Sequence, residues 1–162
     1  MKKLLTTAFA AVFMVVCLVG CAPAPAEKTD ADYYKEYMEL ESTQAFLNDM
    51  NDANDELIAA VNEKSLTKLK SAAERMEGIM NAVIDNENVP EVCEKMNKAA
   101  VSACKNGKEM LDYFVAYAEA SNNGNASEAM SNLQSAGASR NLVDIDIEKF
   151  NEEHERLKLE YE

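Results

Sequence analysis

Tryptophan is missing altogether, histidine occurs once, at His154, and past the early Pro23 and Pro25 the only proline is Pro90. Glycine is scarce too, with Gly78, Gly107, Gly124 and Gly137 spread through the body of the chain. Each shortage removes a class of answer. Bundle di-iron sites take inward glutamates and Glu-x-x-His pairs, yet Asn151, not a glutamate, stands three residues before the lone histidine. No Cys-x-x-Cys-His occurs, which excludes covalent c-type haem. Cys93 and Cys104 with one histidine do not have zinc-site spacing, so no metal or cofactor is expected. Basic residues are also few, 16 against 29 acidic, for a formal charge of −13. Nucleic acid binding needs a basic footprint that releases counterions, and none is present. The same deficit disfavours adhesion of the protein body to anionic lipid.

What is present begins with Lys2 and Lys3 ahead of the apolar run Leu4–Gly20, 17 residues long, which closes in Leu18-Val19-Gly20-Cys21. A basic start before an apolar core reads as a secretory signal. The segment resembles a bacterial lipoprotein signal. In that family the cysteine thiol receives a diacylglycerol, the peptide is cut before the cysteine, and the new amino terminus is acylated. The resemblance covers residues 1–21 and implies lipid attachment at Cys21 and an extracytoplasmic protein anchored to a bacterial membrane. Simple secretory cleavage is one competing reading and a retained anchor is the other, since 17 residues sit at the short end of what spans a bilayer. Against it stand the absence of a basic stop-transfer cluster and the immediate linker Ala22-Pro23-Ala24-Pro25-Ala26.

Cleavage before Cys21 removes Lys2 and Lys3 and takes the formal charge from −13 to −15. Anchoring would then rest on acyl chains, at about 0.8 kcal/mol per buried methylene. Residues 22–32 form a tether that reaches roughly 34 Å if extended. The domain organisation expected is a signal peptide at 1–20, a lipidated tether at 21–32 and one folded domain at 33–162.

That domain is expected to be all-α. Ala, Glu, Met, Lys and Leu are plentiful, and no segment alternates apolar and polar residues between turn signals. The first helix is expected from near Asp30, as its own cap, to about Asn62, with Asn48, Asp49, Asn51, Asp52, Asn54 and Asp55 giving it a solvated or frayed middle. Ser65 caps the second, whose Leu66, Leu69, Ala73, Met76, Met80 and Val83 keep spacings of three and four to about Asn86. Pro90 suits the first turn of the third, which runs to about Ser121. Asn122-Asn123-Gly124-Asn125 then turns the chain into a fourth at 126–160. Short connections favour antiparallel neighbours, hence an up-down-up-down antiparallel four-helix bundle. At 1.5 Å per residue the second helix is about 33 Å long and the others about 50 Å. A missing wall at one end, or a break in the first helix near its Asn/Asp-rich middle, would leave a groove between the three longer helices.

Side chains that could carry chemistry are few. Cys93 and Cys104 lie about 16 Å apart along a continuous helix, too far for a disulfide, which needs α-carbons within about 7 Å. They are then buried thiols, unless the helix breaks near Asn106-Gly107. Seven methionines after the signal, spread over four helices, read as core filler rather than soft-metal ligands. Ala99, Ala103 and Gly107 form a small-residue ridge for close helix packing. His154 has no recognisable serine or cysteine nucleophile beside it, and Asn125-Ala126-Ser127 is a chance glycosylation match in a bacterial chain. Arg140 falls on the apolar stripe of the fourth helix, where a semi-buried guanidinium pairs with a carboxylate across the bundle or receives an anionic ligand.

The sequence thus reads as a non-catalytic, membrane-tethered interaction module with a protein partner. The alternative is a small-ligand carrier or sensor that uses a groove between helices, with Arg140 and the tyrosines Tyr33, Tyr34 and Tyr37 as polar contacts. Intact mass of the protein recovered from its own membrane tests the anchor. The expected species begins at an acylated Cys21, and an unmodified chain overturns the lipoprotein assignment.

Overall fold

The computed structural model describes residues 27–161, so Cys21, the signal and the tether up to residue 26 lie outside the described residues. Within them the chain is 88% helical, in five helices with no strands. Helix α1 is Asp30–Glu39. Helix α2 is a continuous run of Glu41–Gln44, a π-helical turn Ala45–Asp49, and Met50–Asn62. Helix α3 is Leu66–Ile84. A 3₁₀ turn at Glu91–Cys93 leads into α4, Glu94–Asn122, and α5 is Ala126–Tyr161.

The helix starts arise from local chemistry. Thr29, not Asp30, caps α1, and it does so in a capping box in which Asp32 bonds back to the Thr29 amide. Ser65 caps α3 by accepting from the Lys68 amide. Gly124 adopts the left-handed conformation at φ 73° between α4 and α5. Asn125 beside it accepts from the Glu128 amide and holds the first turn of α5.

The expected single first helix is broken. The break falls at Leu40, whose ψ of 137° leaves the helical region, and the Gln44 side-chain amide donates to the Met38 carbonyl at 2.6 Å. The Asn/Asp-rich stretch further on stays helical. There Asn51, Asp52, Asn54 and Asp55 point to solvent while Ala53, Leu57 and Ala60 are buried. Packing of that inner face overrides the weak intrinsic propensity.

Close backbone packing runs in chain order, α2 on α3, α3 on α4, and α4 on α5, while α1 lies against the 3₁₀ turn and α5. Among the described residues, α2 and α5 make no such approach. The core gathers Tyr34 and Tyr37 of α1, Leu57 of α2, Met76 and Val83 of α3, Met96 and Leu111 of α4, and Phe150 and Leu157 of α5. Helix α4 is unbroken through Gly107, and Cys93 and Cys104 are both free and buried. Gly107 permits a close approach. A Cβ there would stand 2.8 Å from the Met80 terminal methyl.

Leu111, 1% exposed, should cost about 2–5 kcal/mol when cut to alanine. Gly78 lies in α3 with nothing within 4 Å of a new Cβ. Gly78→Ala should stabilise by about 0.5–1 kcal/mol. Denaturant titration of both variants checks this contrast between core and surface.

Candidate functional site: an apolar groove between α2 and α5

Because the α2 and α5 backbones stay apart, a groove of about 650 Å³ runs between them. Its floor comes from α3 and α4, through Met76, Met80, Ala103, Cys104, Gly107 and Leu111. One wall is α2, with Met50, Asn51, Asn54, Leu57 and Ile58. The other is α5, with Leu133, Ala136, Gly137, Arg140, Val143 and Ile147. One end is closed by Phe46, which meets Phe150 edge to face at 5.3 Å and 72°. Solvent reaches the rim, where Ile58 is 49% and Leu133 40% exposed, and Val61 and Met130 are exposed nearby in sequence.

Arg140 lies on this groove, as its stripe position suggested, but it is not semi-buried and does not pair across the bundle. Its side chain is 73% exposed, and its partner is Asp144, one turn on in the same helix, at 3.8 Å. An exposed pair at that distance contributes little to stability. The tyrosines are elsewhere. Tyr34 and Tyr37 are buried at the other end of the molecule, where Tyr34 packs on Tyr161 and the Tyr37 hydroxyl donates to Asn97 Oδ1 at 2.9 Å. Burial pushes the Tyr37 phenol up to about 12. Tyr33 is exposed beneath the Lys28 ammonium. His154 is half-buried and stacks near Phe150 at 5.9 Å.

The groove offers little reactive chemistry. Cys104 is the one thiol on its floor, and burial raises it to about 12; Cys93, also buried, is raised to about 11. Both therefore stay protonated at neutral pH and are poor nucleophiles. Among the described residues no group of three or more His, Cys, Asp or Glu could hold a metal ion, and no helix is long and apolar enough to cross a membrane. The arrangement suits an apolar occupant.

A second polar feature, not anticipated from the sequence, lies at the α4–α5 interface. Asp146 is 6% exposed and accepts from Ser102 at 2.5 Å, Asn106 at 3.0 Å and Lys149 at 2.8 Å. Between Ile145 and Ile147 it reads as a surface acid, and only the facing Ser102 and Asn106 show otherwise. Farther along the same interface the Ser139 hydroxyl donates to Glu109 at 3.3 Å. The Lys149 ammonium and the Ser102 hydroxyl hold the Asp146 carboxyl below the usual aspartate value, against its partial burial. The cluster pins the register of α4 on α5, which positions the α5 wall.

No protein-family model, curated protein or solved structure matches this chain.

A depressed folded-state pKa contributes stability above the ordinary aspartate value of 3.8 that is lost as pH falls through the lower folded value. Asp146→Ala should therefore cost about 1.5–3 kcal/mol at pH 7, the range for hydrogen bonds to a charged group. Thermal melts from pH 7 down to about pH 2 should show the gap to wild type closing below about pH 4. A gap constant with pH would deny the carboxylate this role.

Proposed function

We propose that this chain is an extracytoplasmic, membrane-tethered lipoprotein, acylated at Cys21, whose helical domain works by binding a protein partner rather than by catalysis. In this reading α1 and α2 count as one broken helix of an up-down-up-down antiparallel four-helix bundle. Lys70 with Glu119, and Lys108 with Asn81, support opposite directions for α3 and α4. Tyr34 with Tyr161, and Phe46 with Phe150, do the same for the first helix and α5.

The observation that carries the binding function is the open groove with exposed apolar residues on its rim. A monomeric surface rarely leaves a contiguous apolar patch without use. The groove is also concave, which is how recognition sites of this kind are built. A second reading, a carrier of a small apolar ligand, draws on the same volume, with Arg140 at the rim to meet a polar end.

Mild crosslinking and then native purification from the membrane separates the two. A stoichiometric protein companion is expected, and it should be lost with Ile58→Asp or Leu133→Asp, both at exposed positions where folding should be preserved. A bound small-molecule mass with no protein companion would replace the interaction module with the carrier.

A further inference from the structure

We infer that the groove seats a basic amphipathic helix supplied by the protein partner, an assignment that rests on the binding function proposed above. Size is the first argument. The α5 wall from Leu133 to Ile147 spans about 21 Å, or four helical turns. The volume of about 650 Å³ has room for a row of apolar side chains, the set a four-turn helix presents when its apolar residues recur every three and four positions. The incoming helix lies across the mouth, along the seam that α2 and α5 leave unclosed, and lowers its apolar side chains inward.

The lining suits such a guest. Met50, Met76, Met80 and Met110 contribute unbranched, polarisable side chains that repack around different apolar shapes. Gly137 lowers the α5 wall, with nothing within 4 Å of where a Cβ would stand.

Charge selects the kind of helix. The α2 wall brings the uncharged Asn51 and Asn54 to the groove, and Glu56 of α2 pairs instead with Arg75 of α3. On α5 the exposed face beside Ile147 carries Asp144, Glu148, Glu152 and Glu155. Arg140 is the one base among the groove-lining residues, and Asp144 already pairs with it. A second copy of this chain would bring the same net negative charge to the interface. An anionic amphiphile would meet the same carboxylates. A helix with lysine or arginine on its flank finds complementary charge along the α5 wall, which speeds encounter and sets orientation.

The test uses the whole mature chain, residues 21–162, with Cys21→Ser, since every member of the described core lies between Tyr34 and Leu157. The probe is a labelled leucine–lysine peptide of about five turns, amphipathic at helical spacing, read by fluorescence anisotropy. A leucine–glutamate peptide of the same apolar pattern, and palmitate, are the comparisons. The lysine peptide should bind once per chain and at least about tenfold more tightly than the glutamate peptide. The difference should shrink as salt rises and screening shortens. Gly137→Leu, which fills the mouth from an exposed wall position, should weaken binding by about tenfold or more. Asp144→Lys with Glu148→Lys should erase most of the charge preference while circular dichroism stays unchanged.

Equal binding of the two peptides, or indifference to Gly137→Leu, overturns the assignment and leaves the binding function standing. Palmitate binding that Gly137→Leu abolishes gives the groove to a lipid chain, and a sedimenting dimer lost with the same variant gives it to a second copy; either overturns it. If neither peptide binds but native crosslinking still yields a companion, the partner uses another face. If there is no companion either, both readings fall.

Discussion

Phe46 against Phe150 is the contact on which the shape of this molecule turns. Helices α2 to α5 otherwise pack on their neighbours in the chain, with short α1 alone reaching across to α5, and that order leaves the first and last long helices with no obligation to meet. The aromatic pair joins α2 and α5 at one level, with the rings edge to face at 5.3 Å, and beyond it the seam stays open. Such a pair adds about 0.5–1.5 kcal/mol beyond the apolar area it buries. Its larger effect is geometric. It closes one end of the seam and so makes the groove dead-ended.

The π-helical turn Ala45–Asp49 contains Phe46, so the backbone irregularity and the bridging contact share one site. A π turn inserts an extra residue into the helical repeat and rotates the remainder of the helix about its axis. Past the turn, α2 presents Met50, Asn54, Leu57 and Ile58 toward the groove, while Ala53 and Ala60 remain in the interior. The break at Leu40 just before it lets α1 turn aside and place Tyr34 and Tyr37 against the ends of α4 and α5. A straight helix from Asp30 to Asn62 would have to satisfy both sets of contacts with one axis.

Helical class, the spans of α3, α4 and α5, the Ser65 cap, the turn at Gly124 and the separation of the two cysteines were all legible in the residues, because propensity, capping and spacing are local properties. The break at Leu40 was not. Leu40 is an ordinary helix former, and only the distant partners of Tyr37 and Phe46 pull the chain out of line there, whereas the Asn/Asp stretch that looked weak is held by the burial of Leu57. A groove was expected from unequal helix lengths, but it opens instead where α2 and α5 stand apart, and the short α3 supplies part of its floor. Leu133, Val143 and Ile147 share a stripe with Phe150 and Leu157, and periodicity says which residues share a face without saying whether a neighbour covers it. Arg140 shows the same ambiguity. A cation on an apolar stripe reads as buried and paired when the stripe faces a helix, and as an exposed rim residue when it faces a gap.

Placement near a membrane changes what strength of binding the groove would need. On the reading that Cys21 carries lipid, a tether of roughly 34 Å holds the domain within a thin shell of its membrane. A partner segment anchored in the same membrane meets it there at an effective concentration set by the tether length, in the millimolar range for short flexible linkers. Under that condition a helix with a micromolar affinity for the groove is already mostly bound. Methionines that fit loosely and carboxylates that attract from a distance are suited to such moderate, reversible contact, whereas a tightly shaped pocket would be needed only for a ligand met at low concentration in free solution. On the same reading the carboxylates of the α5 wall add a further selection, because they would repel anionic headgroups below while attracting a basic helix that those same headgroups would also attract. On that reading the domain competes with the membrane surface for its guest, and ionic strength would weaken both attractions together, leaving the apolar floor of the groove to decide which one retains the helix.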